Sequence, residues 1–402
     1  MLSASDRLAR RNAIVLALAQ AIGGALASIN IALGGLVGIY LLGAGSELAT
    51  VPVTTMIVGT AAGTLPAAFL LEKLGRKLGF MTGALIAASG GLIAFTGIMQ
   101  GVFWLFCFGT FVGGSAFAFV QQYRFAAAEA ATEKFRPKAI SYVLAGGILA
   151  GVIGPQTVIA TKDAFLPTAF AGAYLASAVL CLITIAVLAF YKPGPVVRRA
   201  PDAPRGRPLL VILMQPRVAL AILVAVVSYA VMSLVMTAAP LAMIACGFTT
   251  DQAALGIQWH VIAMFAPSFI TGSLITRFGA EPIAAVGLVL SGLAGVTALM
   301  GIELGHFYVA LILLGLGWNF GFIGGTTMLT NAQRPEERAR TQAANEFIVF
   351  GAVAVASLSS GVLFQTIGWD SINWTVLPLL AIPLALVTMA FARPAAPRTL
   401  PS

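Results

Sequence analysis

The chain has 402 residues, of which 59% are apolar and only 9% are Asp, Glu, Lys or Arg, with a mean hydropathy of +0.97. A soluble domain carries about 25% charged residues, so this composition describes a chain whose main solvent is lipid and excludes an ordinary cytosolic enzyme. Three cysteines are too few for a disulfide framework, and the net charge of +9 is spread between apolar runs rather than gathered with stacking aromatics, which excludes a nucleic-acid binder.

Runs of about 20 apolar residues, the length that crosses a bilayer as a helix, recur along the whole sequence. They predict spans at 13–40, 48–71, 80–99, 102–122, 139–160 and 165–191, then at 218–242, 254–275, 282–301, 307–329, 342–364 and 371–391. The first run is too long for a signal peptide and is followed by further spans, so it reads as a retained helix. The expected architecture is therefore an all-α membrane protein of twelve transmembrane helices in two six-helix bundles.

Charge sets the orientation. With the N-terminus inside, 22 of the 23 basic residues fall in cytoplasmic segments, and the outer loops hold Lys162 against Glu47, Asp163, Asp251, Glu303 and Asp370. This is the positive-inside pattern, and it places both termini in the cytoplasm. The longest polar connection, 192–208, carries five basic residues and five prolines. It divides an N-terminal bundle (1–191) from a C-terminal bundle (209–402) as a cytoplasmic linker.

The halves share a local pattern. Glu72-Lys73-Leu74-Gly75-Arg76-Lys77 after the second span corresponds to Thr276-Arg277-Phe278-Gly279-Ala280-Glu281 after the eighth, at an offset of 204 residues. A basic, glycine-containing turn repeated at the same place is what a parallel duplication leaves behind. The stretch 68–77 resembles the loop signature of the major facilitator superfamily of secondary transporters, with Ala68 for its first glycine and Glu72 for its acid. Gly147, Gly151, Gly154 and Pro155 resemble that family's kink motif in part. The resemblance implies two six-helix bundles that rock about a central site, with Glu72, Lys73, Arg76, Lys77 and Arg277 as gating residues. Arg124, closing the fourth span, and Glu346, opening the eleventh, are candidates for an inner gate of ion pairs.

Charged residues lie near the ends of the predicted spans, so cargo is expected to meet neutral or soft groups. Met232 and Met236 share one face of the seventh span, and His260 and Met264 share one face of the eighth. At 1.5 Å per residue, Met236 and His260 lie about 9 Å below the outer ends of their helices and Met232 and Met264 about 15 Å, so the four can meet in two layers. Thioethers and imidazole favour Cu(I). The same spacing also serves ordinary core packing. These pairs resemble those of the CcoA-type copper importers of proteobacteria. That resemblance implies a copper carrier of the bacterial inner membrane supplying cytochrome oxidase assembly, with Met232, Met236, His260 and Met264 as the metal-binding residues. Met243 and Cys246 near the outer mouth are candidates for a relay. The expected partners are the lipid bilayer and a copper ion or a copper-carrying small ligand, with no prosthetic group, no obligatory protein partner and a functional monomer.

The alternatives are an importer of a neutral organic solute such as riboflavin, or a small-molecule efflux carrier. A neutral solute would use Asn30, Tyr142, Gln156, Tyr229, Trp318 and Asn319 for stacking and hydrogen bonding. No paired acid and base in the spans suggests an enzyme.

Overall fold

A computed structural model describes residues 4–129, 131–132, 135–193 and 207–392. All regular structure among them is helical: α1 (Ala4–Gly23), α2 (Ala25–Leu42), α3 (Val51–Met99), α4 (Phe103–Val120), α5 (Tyr123–Glu129), α6 (Arg136–Thr161) and α7 (Ala171–Leu188), then α8 (Leu209–Leu213), α9 (Pro216–Ala245), α10 (Thr250–Phe265), α11 (Ser268–Phe278), α12 (Ala280–Leu299), α13 (Leu304–Ala332), a 3₁₀ turn at Pro335–Glu337, and α14 (Arg338–Ala392). They pack as two helical bundles. Most of the expected linker, residues 194–206, lies outside the described residues, as do Lys134, Arg198, Arg199, Arg205, Arg393 and Arg398.

Among the described residues ten segments are long and apolar enough to cross a membrane, where the sequence led us to expect twelve separate runs. The difference has a local cause. Helix α3 spans 49 residues and α14 spans 55, each interrupted by a single non-helical glycine: Gly75 (φ 76, ψ 162) and Gly368 (φ 80, ψ 178). The seventh-span and eighth-span predictions hold in outline, but Pro267 splits the latter into α10 and α11 because it lacks the N–H that would continue the ladder. Asn319 repairs that break, donating to the Met264 carbonyl at 2.6 Å and accepting from Thr271 at 2.6 Å. The sixth run starts as a helix only at Ala171, after a turn that Phe170 closes by donating from its backbone to Lys162 O at 2.7 Å.

The internal repeat is visible in the backbone. Gly279 (φ 95, ψ 162) adopts the same left-handed turn as Gly75, 204 residues earlier. In the left-handed region a side chain is strained, so glycine is required at both copies. Close approach repeats too. A Cβ on Gly90 would stand 2.5 Å from the Gly113 nitrogen, and one on Gly287 2.1 Å from the Gly321 nitrogen. In each half two helices touch backbone to backbone, the small-residue packing of membrane helices.

The ends of the molecule differ in charge and in closure. At the end carrying the acidic loops, Lys162 pairs with Asp251 across the bundles at 3.4 Å and with its neighbour Asp163. Towards the same side, Gln156 donates to Gln258 at 2.9 Å and Thr54 to Ser357 at 3.2 Å. Every cross-bundle polar bond named here lies between the middle and that end. At the basic end the bonds stay within a bundle: Arg76 pairs with Glu129, and Arg207 pairs with Glu337.

Candidate functional site

Helices α9, α10, α13 and α14 bring five aromatic rings together near the middle of the C-terminal bundle. Tyr229 lies 13 residues into α9 and Trp318 14 residues into α13, each about 20 Å along a helix roughly twice that length. The Tyr229 ring meets Trp318, Phe322 and Phe350 with centroids at 5.3, 5.2 and 6.0 Å. Trp318 and Phe322 stack at 5.3 Å with an interplanar angle of 12°. Phe265, at the end of α10, approaches Trp318 at 6.3 Å. Across the bundle interface, a Cβ on Gly147 of α6 would stand 3.3 Å from the Phe265 ring. The cluster faces the other bundle at mid-depth, where carriers built from repeats place their cargo.

Two opposite charges flank this platform. Arg124 on α5 and Glu346 on α14 both remain exposed, and each interacts electrostatically with the other and with Tyr229. They come from different bundles. Neither belongs to any of the ion pairs within 4.0 Å among the described residues. Arg124 instead lies over the Phe125 ring at 4.8 Å.

The other loop residues singled out by sequence have defined partners. Arg76 donates from Nε to Glu129 at 3.3 Å. Lys77 donates to Ala189 O at 2.5 Å and Arg11 to Phe190 O at 3.1 Å, so both cations cap the carbonyl end of α7. Glu72 and Lys73 stay exposed, the latter 5.8 Å from the Phe69 ring, and Arg277 lies 5.1 Å from the Phe278 ring.

Met232, Met236, Met264 and Met243 are all buried in one apolar core that also contains Leu33, Val37 and Leu241. His260 is fully buried, with Nδ1 2.7 Å from Leu311 O, which fixes that nitrogen as the donor and leaves Nε2 without a partner. Cys246 is an exposed free thiol. Of the residues weighed for a neutral solute, Asn30 is internally satisfied, accepting from Tyr174 at 3.1 Å and donating to Pro52 O at 3.3 Å. Asn319 is likewise used up at the Pro267 break. Tyr229 and Trp318 join the platform. Phe265, Phe322 and Phe350 were not singled out by sequence; the one local signal was Phe322 four residues beyond Trp318, on the same helical face.

The Major Facilitator Superfamily profile matches residues 16–271 and 221–402. The chain is 51% identical over 375 residues to the riboflavin transporter RfnT of Brucella anthropi, covering 93% of this chain and 94% of that protein. Among solved structures it is similar to the nucleoside transporter NupG, with a TM-score of 0.69, 14% identity and coverage of 96% and 98%. It is also similar to the transporter FucP in its outward conformation, with a TM-score of 0.61, 15% identity and coverage of 94% and 98%.

These findings correct the cargo reading. The relationship to a riboflavin transporter at 51% identity overturns the resemblance to copper importers, and with it copper as cargo, copper or its carrier ligand as partner, and the role in cytochrome oxidase assembly. Among the described residues no group of three His, Cys, Asp or Glu side chains is placed to hold a metal. The physical reason for the misreading is that two residues four apart share a helical face whether that face binds a ligand or packs a core, and methionine is a common core filler. The relay assigned to Met243 and Cys246 falls with its cargo. Helical architecture, repeated loops and whole-length profile match agree: the chain belongs to the Major Facilitator Superfamily, a family of membrane carriers rather than enzymes.

Proposed function

We propose that this protein carries riboflavin, or a flavin closely like it, across the bacterial inner membrane. The observation that supports this most strongly is the 51% identity to a named riboflavin transporter over nearly the full length of both chains. The mid-depth platform of Tyr229, Trp318, Phe322, Phe350 and Phe265 suits the reading, because a flat apolar ring gains stacking energy there without an ionic partner.

The working architecture is twelve spans, obtained when α3 and α14 are each divided at their non-helical glycine. Residues 1–191 form one six-helix bundle, 192–208 the linker and 209–402 the other bundle, acting as a monomer. Positive-inside charge places the basic end, and both termini, in the cytoplasm. On that orientation the closed acidic end is periplasmic and this conformation opens inward.

Gating is assigned to the basic end. Arg76 with Glu129, and the loop residues Glu72, Lys73, Lys77 and Arg277, brace the helix ends that move as the bundles rock. Arg124 and Glu346, separated here, approach each other when the inner mouth closes.

The test is uptake of radiolabelled riboflavin by liposomes containing the purified protein. Saturable uptake that excess unlabelled riboflavin abolishes is expected. Accumulation no greater than in protein-free liposomes overturns the assignment.

A further inference from the structure

Membrane spans hold few charges, and those they hold are costly unless bridged. Arg124 and Glu346 sit inside membrane-crossing segments, 103–129 and 340–390. They are opposite in sign, arise from opposite bundles, and are close enough to influence each other, but no ion pair joins them. Between them stands Tyr229, whose ring is already packed edge-on against Trp318 and Phe322. The arrangement is thus an aromatic wall with a pure donor on one side of a gap and a pure acceptor on the other, since a guanidinium offers only N–H groups and a carboxylate only lone pairs.

We infer that Arg124 and Glu346 read the imide edge of the cargo's ring, while Tyr229, Trp318 and Phe322 hold its faces. This rests on the riboflavin reading. The pyrimidine portion of a flavin carries carbonyl, N–H and carbonyl in sequence, so one edge presents acceptors to Arg124 and a donor to Glu346. An uncharged edge satisfies both groups at once. An anion would be attracted by Arg124 and repelled by Glu346, and a cation the reverse, so the pair selects against charge as well as for shape. When cargo leaves, the two side chains are free to pair with each other, which links ring recognition to closure of the empty carrier.

The experiment is competition against radiolabelled riboflavin uptake in liposomes containing the full chain. Three probes are used: lumiflavin, which keeps the imide and lacks the sugar chain; 3-methylriboflavin, whose imide N–H is replaced; and phosphorylated riboflavin. We expect lumiflavin to compete to within about threefold of riboflavin, and the other two to be weaker by about tenfold or more, the usual cost of losing one hydrogen bond to a charged group. In Glu346→Gln, whose amide can also donate, the discrimination against 3-methylriboflavin is expected to shrink. Wild-type uptake that 3-methylriboflavin inhibits as well as riboflavin does would overturn the inference and leave the riboflavin reading standing. No riboflavin uptake by the wild type would remove both.

Discussion

Arg207 and Glu337 form a two-pronged ion pair, Nε to Oε1 at 2.6 Å and Nη2 to Oε2 at 2.9 Å, with the carboxylate wholly buried. The backbone N–H of Arg334 adds a bond at 3.3 Å. Glu337 lies 208 residues beyond Glu129, whose partner is the loop arginine Arg76; the second copy of that loop has Ala280 in place of the arginine, and Arg207 from the end of the linker supplies the cation instead. At the linker's other end Asn12 donates to Lys192 O at 2.6 Å and accepts from Lys192 N at 3.2 Å. The connection is therefore fastened once to each bundle.

This clamp has a pH signature. The Arg207 guanidinium holds the Glu337 carboxyl down at about 2. A depressed carboxylate contributes stability that is full above its unfolded value, about 4.3, and is lost as pH falls towards 2. Thermal unfolding of the purified protein should thus show no contribution from this pair between pH 6 and 8, and Glu337→Gln should lower Tm there while losing its effect near pH 2. Arg207→Gln combined with Glu337→Gln should lower Tm by less than the sum of the two single changes.

Removing an aromatic wall should weaken transport more than it weakens the fold. Trp318→Ala takes away the ring stacked on Phe322 and facing Tyr229. Aromatic contacts are worth about 0.5–1.5 kcal/mol beyond area burial, so riboflavin uptake at low concentration should drop about tenfold. Trp318→Phe should recover most of it. Equal uptake by Trp318→Ala and the wild type would remove this residue from the cargo path.

Opening of the acidic end requires Lys162 to leave Asp251. Lys162→Gln should shift the carrier towards the conformation open at that end, seen as faster labelling of a cysteine introduced on the bundle interface there. Exchanging the two residues, Lys162→Asp with Asp251→Lys, should restore the original rate. The pair is partly exposed, so the effect should shrink as salt is raised.

Gly90→Ala should destabilise by about 1–3 kcal/mol, because the new methyl meets the Gly113 backbone rather than a movable side chain. Gly287→Ala should behave alike at its repeat position. Gly272, whose Cβ would meet nothing within 4 Å, should accept alanine without loss. Thermal unfolding of the three variants in detergent checks the order.

Copper should be irrelevant. Replacing Met232, Met236 and Met264 by leucine keeps the core apolar and should leave cellular copper unchanged. His260→Phe should cost about 1 kcal/mol through the lost bond to Leu311 O, again with no change in copper. Reduced copper accumulation in either variant would reopen the metal reading.

The sequence by itself determined what depends on composition and local pattern. Apolar runs of bilayer length dictate helices, because a backbone in lipid must satisfy its own polar groups. The recurrence of Gly75 as Gly279 foretold the repeated turn, since only glycine sits easily at that φ. Tertiary structure decided the rest. Whether Met232 and Met236 face a ligand or a neighbouring helix depends on which helix lies opposite, which spacing along one helix cannot reveal. The platform of Tyr229, Trp318, Phe322, Phe350 and Phe265 draws on four helices spread over more than 120 residues, so no window of sequence contains it. The approach of Arg124 to Glu346 likewise exists only because two bundles face each other.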